Sequence, residues 1–323
     1  MSITSSNVRA DHTVPKRDGN VHSDWNKGRE PALVVDPGDV VRVECREPLN
    51  DQITPESGVE DLLAVDMDRV HALTGPISVE GAAPGDVLKV ELLEITHEGW
   101  GWTGFFPGES GIGLLPERFP EPDLYVWDLH EDTGVFRHGI ELPLAPFPGV
   151  VGVAPAEVGP HSTIPSRSVG GNLDVKHLTE GSTVYLPVEV EGGLLSIGDC
   201  HAAQGDGEVC STGIEAPMDV TVRVSVERGR RIRQPQFEST GPFAPGGADE
   251  PMYATAGVSD DLMDAAKRAV WHMIEYLSDE HGLSKADAYL LSSVGVDLKI
   301  NELVDRPNWV VSAYVSEGLF GEG

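Results

Sequence analysis

The sequence predicts a mainly β protein, with a β-sandwich or jelly-roll-like core, α+β additions and a helical layer near the C-terminus. Short segments in which apolar and polar residues alternate recur over residues 1–235. The 24 prolines and 37 glycines supply the turns that separate such short strands. The last part changes to a helical period. We therefore expect one composite domain over residues 1–323, mainly β over 1–235 and α/β over 236–323.

An internal echo marks two of the predicted strands. Residues 37–44 read PGDVVRVE, and residues 84–91 repeat the pattern as PGDVLKVE. Pro-Gly-Asp is typical of a turn, because Pro presets one backbone angle and Gly supplies a positive φ. Alternating valine and charged residues then predict half-exposed strands. Two copies are too few for a solenoid, so the echo predicts two similar strands in one β-rich domain.

Two further stretches within residues 1–235 predict different structures. Residues 220–226 alternate, with all their valines on one face, and predict another strand. Residues 98–127 are rich in Gly, Pro and aromatic residues without a period, which predicts a long functional loop. Its aromatic side chains either cover a pocket or pack under the loop, and both interpretations stay open. They are Trp100, Trp102, Phe105 and Phe106.

The C-terminal part predicts a pair of helices followed by two strands. Apolar residues keep the 3.6-residue period from Leu262 to Leu277, with Ser259 as the expected N-cap and Gly282 as the glycine that ends the helix. Ser284 then opens a second helix with a variant of the capping box. The stretches VDLKI and WVVSAYVS predict the final strands.

Charge and composition exclude several classes of function. The chain has 53 acidic and 23 basic residues and a net charge of −30, spread along its length, which excludes nucleic acid and anionic membranes as partners. Molar salt, with a Debye length of about 3 Å, would screen the self-repulsion and predicts a halophilic source. No apolar run approaches the roughly 18 residues of a membrane span. The polar N-terminus lacks a signal peptide, so a cytoplasmic location is expected.

The stretch GDCHAAQGDGE, residues 198–208, carries the strongest candidate site. In a strand, alternation places Asp199 and His201 on one face and Cys200 on the other. A carboxylate and an imidazole spaced in this way form half of a metal site. The Gly-Asp-Gly turn would bring three more polar side chains close to them, those of Gln204, Asp206 and Glu208.

A second candidate stretch is GGNLDVK, residues 170–176. If this segment is extended, Asn172, Asp174 and Lys176 lie on one face. The paired glycines permit close approach of the backbone to a ligand. Alternatively, Asn172 and Asp174 form Asx turns that cap the next turn, and local features alone favour this interpretation.

Three long stretches resemble the acetamidase/formamidase family. They are VHALTGPISVEGAAPGDVLKVELLEI, the segment from GGNLDVKHL through GDCHAAQGDGEVCSTGIE, and VDLKINELVDRPNWVVSAYV. The resemblance runs from roughly Val34 to the end of the chain. It implies a β-sandwich with added α/β elements, hydrolysis of small amides to a carboxylate and ammonia, and a metal at the polar end of the sandwich. The TGPI motif, with Asp66 and His71 before it, belongs to the resemblance, but whether these two join the site is open.

Together with this resemblance, the residue types suggest which side chain performs each chemical role. Asp174, Asp199 and His201 are expected to hold a divalent metal, with zinc favoured over calcium, that activates water and polarises the amide carbonyl. The acid–base carboxylate is Glu208, with Asp206 placed beside it among the catalytic residues. The small amide is expected to bond to Asn172 or Gln204, and Lys176 to steady the oxyanion. The family also suggests a homo-oligomer.

Three alternatives remain at this point. In the first, Cys200 or Cys210 serves as a nucleophile, although a buried thiol is usually inert. In the second, the acidic cluster holds a structural Ca²⁺ in a non-catalytic metal- or ligand-binding β-sandwich, although His201 favours a softer, catalytic metal. A hydrolase of cyclic amides such as γ-lactams from the same family is the third. The sequence alone does not choose among formamide, acetamide and longer amides.

Overall fold

A computed structural model describes residues 8–106, 121–136, 140–204, 208, 211–239, 252–283 and 296–320. In these residues strands dominate and helices are few. The strands are β1 His12–Val14, β2 Val21–His22, β3 Leu33–Val35, β4 Val40–Cys45, β5 Leu73–Val79, β6 Val87–His97, β7 Trp100–Phe105, β8 Asp123–Leu129, β9 Thr133–Phe136, β10 Ile140–Pro143, β11 Phe147–Gly152, β12 Gly170–Asn172, β13 Thr183–Pro187, β14 Leu195–His201, β15 Met218–Glu227, β16 Gln236–Ser239, β17 Met252–Ser259, β18 Val296–Glu302 and β19 Trp309–Ser316. The α-helices are α1 Val59–Leu63 and α2 Leu262–His281.

The strands form three sheets. The largest has the order β1-β4-β15-β6-β13-β16-β17-β19-β18, a second has the order β12-β11-β14-β5-β2 with β3 beside β5, and a third has the order β10-β9-β8-β7. The large sheet crosses the boundary at residue 235, because β13 pairs with both β6 and β16. The single composite domain stays a prediction.

The two echoed segments lie on either side of the same strand. Strands β4 and β6 both pair antiparallel with β15. The turn glycines before them, Gly38 and Gly85, have φ values of 104° and 97°, as the Pro-Gly-Asp pattern predicts. The valines of β15 point into the core, so the expected alternation of this strand is confirmed.

The main core lies between the large sheet and the six-stranded sheet. Val41 and Val220 of the large sheet and Ile77, Val151 and Ile197 of the smaller one belong to one cluster of buried side chains. Each of these side chains is fully shielded from solvent. Two sheets that share one apolar interior form a sandwich, which confirms the predicted fold class.

The helix α2 covers the C-terminal half of the large sheet. Its buried face, with Ala265, Ala269 and Met273, packs on Tyr253 and Val311 of β17 and β19. This arrangement confirms the predicted helical layer.

The ends of α2 confirm one expected cap and correct the other. Gly282 ends the helix in the left-handed region, with φ 68°, as predicted. The N-cap is Asp261 rather than Ser259, because Ser259 is the last residue of β17 and its hydroxyl bonds to Asp264 instead. The helix predicted from Ser284 lies outside the described residues.

The aromatic stretch at residues 98–127 was expected to be a loop, and this expectation is wrong for its two ends. They form the antiparallel strands β7 and β8. In β7, glycines interrupt the alternation of side chains because they occupy positions where the backbone packs closely. A Cβ at Gly101 would lie 2.8 Å from the carbonyl oxygen of Glu215. Residues 107–120 lie outside the described residues.

Within the described part of the chain, no helix combines the length and the apolar character that crossing a bilayer requires.

The contact between α2 and β17 yields a first prediction. A Cβ at Gly257 would lie 2.0 Å from the carbonyl oxygen of Ala265, so Gly257→Ala forces the helix from the sheet. We expect the free energy of unfolding in urea to fall by about 1–3 kcal/mol. Gly58→Ala is the control, because no atom lies within 4 Å of the added methyl group. Its cost should stay under about 1 kcal/mol. Equal losses in both variants would contradict the close packing.

A buried carboxyl group at the end of β4 yields a second prediction. Glu47 is fully buried and accepts hydrogen bonds from the backbone nitrogens of Leu49 (3.1 Å) and Gln52 (3.0 Å) and from the Trp102 indole (3.1 Å). Burial raises its pKa to about 7.

A raised carboxyl pKa stabilises the folded state at low pH, and this stabilisation is lost as the pH rises through about 7. Relative to Glu47→Gln, the wild-type free energy of unfolding should fall by about 2 kcal/mol between pH 5 and pH 8. Urea titrations of both proteins at several pH values measure this difference. A difference that does not change with pH would contradict the raised pKa.

Candidate active site

Strand β14 brings the first pair of candidate residues together. His201 Nε2 lies 3.6 Å from Asp199 Oδ1, and both side chains are buried. Cys200 between them points the other way, into the sandwich core. The alternation predicted from the sequence is therefore present, although Asp199 has a left-handed φ of 51° that interrupts the regular strand.

The imidazole of His201 presents one nitrogen to a group of carboxylates. Besides Asp199, its Nε2 lies 3.0 Å from Glu215 Oε2 and 4.0 Å from Glu208 Oε1. The other nitrogen, Nδ1, lies 2.7 Å from Gln204 Oε1. An amide oxygen only accepts hydrogen bonds, so Nδ1 carries a proton, and Nε2 is the nitrogen that faces the carboxylates. Gln204 is itself fixed, since its Nε2 donates to the carbonyl oxygen of Asp174 at 3.2 Å.

Asp174 lies beside the other nitrogen of the imidazole. Its Oδ1 is 3.8 Å from His201 Nδ1. Both of its carboxyl oxygens are enclosed and lack a hydrogen-bond partner among the described residues. The space around it is filled, because a Cβ at Gly149 would come within 2.6 Å of Asp174 Oδ1 and 2.7 Å of the Asp199 carbonyl oxygen. Glycine at position 149 leaves the space that the side chains of Asp174 and His201 and the backbone of Asp199 occupy.

Glu215 is a central member of the cluster that sequence reasoning missed. Its backbone bonds to Trp102 in both directions at 2.8 Å, and its Oε1 accepts from the Gly213 nitrogen at 2.8 Å. Its remaining oxygen, Oε2, faces His201. The signal in the sequence was weak: an acidic residue between the apolar Ile214 and Ala216.

Of the two residues that the sequence left open, one joins the site. His71 is buried, and its Nε2 lies 3.7 Å from Asp199 Oδ2. Asp66 is exposed and caps a short 3₁₀ turn by accepting a hydrogen bond from the Asp68 nitrogen. Its side chain is absent from the described lining of the site.

The remaining sequence candidates are distributed differently. Asn172 is buried, and its Nδ2 donates to Asp305 Oδ2 and to the carbonyl oxygen of Ile164 at 3.3 Å. Lys176 is half-buried and is not among the described residues that line the cavity. Asp206 lies outside the described residues, as does Cys210.

The cluster opens on a small cavity of about 50 Å³. At roughly 10–15 Å³ for each enclosed water, this space holds about four waters, or one small ligand. Carboxyl groups and apolar side chains share its wall. The described polar lining residues are His71, Asp174, Asp199, Glu208, Ser211, Thr212, Glu215 and Asp305, and the apolar ones include Leu49, Trp102, Phe106 and Ile164. Trp102 and Phe106 thus cover a pocket, one of the two interpretations left open for them.

Burial and mutual repulsion shift the pKa values of the carboxyl groups. Burial raises the pKa of Glu208 and of Asp174 well above their usual range. The charge of Asp174 raises the pKa of Glu208 further, and the charge of Asp199 raises that of Asp174 further. Burial also raises the pKa of Glu215. For Asp199, the charges of His71 and His201 outweigh burial and lower the pKa.

The imidazole groups respond to the same surroundings. Burial alone would lower the pKa of His201, but the charges of Glu215 and Asp199 outweigh it, so the pKa is raised well above its usual range. For His71 burial dominates, and the pKa is lowered despite Asp199. Charging all of these groups at once is therefore costly in a place with little water.

The donor set fits a divalent cation. One ligand atom from each of Asp199, His201 and Glu215 lies within 4.8 Å of the others, and the same holds for Asp174, His201 and Glu208. Carboxylate oxygens and an imidazole nitrogen are zinc ligands, whereas Ca²⁺ prefers oxygen alone. Both carboxyl oxygens of Asp174 and His201 Nε2 are also buried without a hydrogen-bond partner among the described residues.

The backbone at the site adopts rare conformations. Asp174, Asp199, Glu208 and Ser211 all have positive φ, between 43° and 77°. Such conformations are costly for residues with a side chain, and they cluster at functional sites.

Known proteins share the sequence pattern and the fold of this chain. The sequence model of the acetamidase/formamidase family matches residues 7–158 and 156–322. A formamidase of Methylophilus methylotrophus is 30% identical over 94% of this chain and 90% of its own length.

Solved structures show the same fold. The acetamidase of Bacillus halodurans has a TM-score of 0.84 and 33% identity, over 94% of this chain and 98% of its own. A γ-lactamase of Delftia acidovorans has a TM-score of 0.68 and 30% identity, over 96% and 94% of the two chains. The match of the family model along nearly the whole sequence, together with relatives of this identity, leads to one conclusion: the chain belongs to the acetamidase/formamidase family.

Proposed function

We propose that the chain hydrolyses small linear amides, such as formamide and acetamide, to a carboxylate and ammonia with the help of a divalent cation. The observation that carries the proposal is the convergence of Asp199, Glu208 and Glu215 on one imidazole nitrogen of His201, at a cavity of about 50 Å³. Membership of the family supplies the reaction. The small cavity favours short acyl groups.

Asp199, His201 and Glu215 would hold the cation. Three protein ligands that leave a position open are typical of catalytic zinc. Bound there, a divalent cation supplies a water of lowered pKa and polarises the carbonyl of the amide. Asp174 was expected from the sequence to be a ligand. We favour Glu215 in its place, because Asp174 lies beside the protonated nitrogen of His201.

The other side chains of the chain orient groups and move protons. Glu208 is placed to accept the proton of the attacking water and to return it to the departing nitrogen, and its raised pKa suits a group that must do both. Gln204 was expected to bind the amide. Both of its amide atoms are already engaged, so its role here is to fix the tautomer and the ring plane of His201.

Several finer predictions from the sequence belong to the same proposal. Zinc is the proposed metal, because an imidazole joins the carboxylates. Activity in molar salt follows from the net charge of −30. The homo-oligomer, the cytoplasmic location and the roles of Lys176 and Asp206 stay predictions.

Hydrolysis of a cyclic amide is the second candidate function, since a γ-lactamase shares the fold at 30% identity. Comparing a γ-lactam with acetamide as substrates distinguishes the two. Hydrolysis of a γ-lactam releases no ammonia, so the ring-opened amino acid is the product to measure for that substrate. The non-catalytic binding protein would bind the metal, release no ammonia from acetamide and open no γ-lactam ring.

Ammonia release and metal content test the site together. In multimolar KCl, wild type should release ammonia from formamide or acetamide, lose this activity with a chelator and regain it with Zn²⁺. Glu215→Gln should lower kcat/KM about a thousandfold, because the loss of a ligand removes several kcal/mol of transition-state stabilisation. Gln204→Ala should weaken metal affinity by about 10–100-fold.

Asp174→Asn is the matched comparison for these variants. It should retain the metal that Glu215→Gln loses, as measured by the metal content of the purified proteins. The reverse result would restore Asp174 to the ligand set, and activity that survives chelation would overturn the metal mechanism.

A separate variant tests the cysteine alternative. Cys200 is fully buried, and the neighbouring Cys45 together with burial raises the pKa of its thiol well above the usual range. A thiol in that state is a poor nucleophile. Cys200→Ala should therefore keep kcat/KM for acetamide within about threefold of wild type, at a cost of about 1 kcal/mol in unfolding free energy. Complete loss of turnover in a folded variant would revive the nucleophile.

A further inference from the structure

The connection between β18 and β19 places one more carboxyl group at the cavity. Asp305 lies in this connection and lines the cavity together with Asp174 and Asp199. No local pattern in the sequence links Asp305 to the site. The residue is half-buried, whereas Asp174, Asp199, Glu208 and Glu215 are all at most 5% exposed. Among the described lining residues that carry a carboxyl group, Asp305 is thus the most exposed residue.

Asp305 is held from two sides. Its Oδ2 accepts a hydrogen bond from Asn172 Nδ2, and its backbone nitrogen donates to Glu302 Oε1 at 2.6 Å. Asn172 is itself fixed, because its carbonyl oxygen accepts from Ser166 Oγ at 2.5 Å. A carboxyl group that neighbouring groups already orient loses little entropy when it binds a ligand.

The chemistry of a primary amide decides what faces this carboxyl group. The amide offers one carbonyl oxygen, which accepts, and an –NH₂ group, which donates. The lone pairs of a carboxyl oxygen repel the carbonyl oxygen and attract an N–H. Asp199 and Glu215 are committed to the cation in the proposed function, and the oxygens of Asp174 are enclosed.

We propose that Asp305 accepts a hydrogen bond from the –NH₂ group of the substrate and so binds the leaving nitrogen. The inference rests on the proposed function. It makes Asp305 a catalytic residue that selects amides over esters, because an ester of the same size places an oxygen where the –NH₂ group would be. The Asn172 side chain then acts as a positioning group for Asp305, not as a direct ligand of the amide.

The test compares acetamide with methyl acetate, an ester of the same acyl group, in the full-length, metal-loaded protein. For Asp305→Ala, kcat/KM for acetamide should fall by about 10–100-fold, because the buried –NH₂ group of the substrate loses its hydrogen-bond acceptor. The constant for methyl acetate should change by less than about threefold. Where the ester is not turned over, its inhibition constant against acetamide is used instead. Asp305→Asn, which presents N–H donors to the substrate, should reproduce the selective loss.

Asn308→Ala is the control from the same connection. Asn308 Nδ2 donates to the carbonyl oxygen of Ser166 at 2.7 Å and is not among the described lining residues. This variant should leave the ratio of amide to ester unchanged. Metal content and thermal midpoint of every variant show whether the site stays loaded and folded.

The outcomes separate the inference from the function on which it rests. Equal losses of kcat/KM for acetamide and methyl acetate in both Asp305 variants would overturn the inference and leave the proposed function intact. Loss of the bound metal from these variants would have the same meaning. Wild type that releases no ammonia from any small amide would overturn the proposed function and the inference with it.

Discussion

The structure depends on the burial of several carboxyl groups around one imidazole. Burying an unpaired charge is expensive, and among the described residues His71 and His201 are the basic side chains that lie beside these acids. A cation bound here, as proposed, would offset the acids, and the raised pKa values of Asp174 and Glu208 reflect the cost of charging them without one. The sandwich surrounds this cluster with rigid strands, so the acids cannot move apart to reduce their repulsion.

Residues that do not line the cavity hold the side chains of the site in place. Gly149 allows β11 to approach Asp174 and the backbone at Asp199 closely. Gln204 contacts His201 with its amide oxygen and donates to the Asp174 carbonyl oxygen with its amide nitrogen, whereas Asn172 donates from its amide nitrogen to both Asp305 and the Ile164 carbonyl oxygen. The amide side chains of this family motif therefore serve as supports. Their geometry is fixed before any ligand arrives.

Local patterns predicted much of this protein, and long-range contacts explain what they missed. The alternation of β14 correctly separated Cys200 from His201, and the helical period correctly gave the end of α2 at Gly282. Glu215 and Asp305 reach the site through pairing with Trp102 and through the β18–β19 connection, and neither contact leaves a local trace. Strand β7 escaped notice because glycine replaces side chains where the backbone packs closely.

The position of Asp305 near the end of the chain affects how the protein matures. Synthesis proceeds from the N-terminus, and the acids from Asp174 to Glu215 leave the ribosome well before Asp305 does. Docking of the last hairpin then completes the wall of the cavity. In the proposed function, the three residues that would hold the cation thus precede this wall in synthesis. A chain that is cut short before β18 would contain Asp199, His201 and Glu215 but lack the finished pocket.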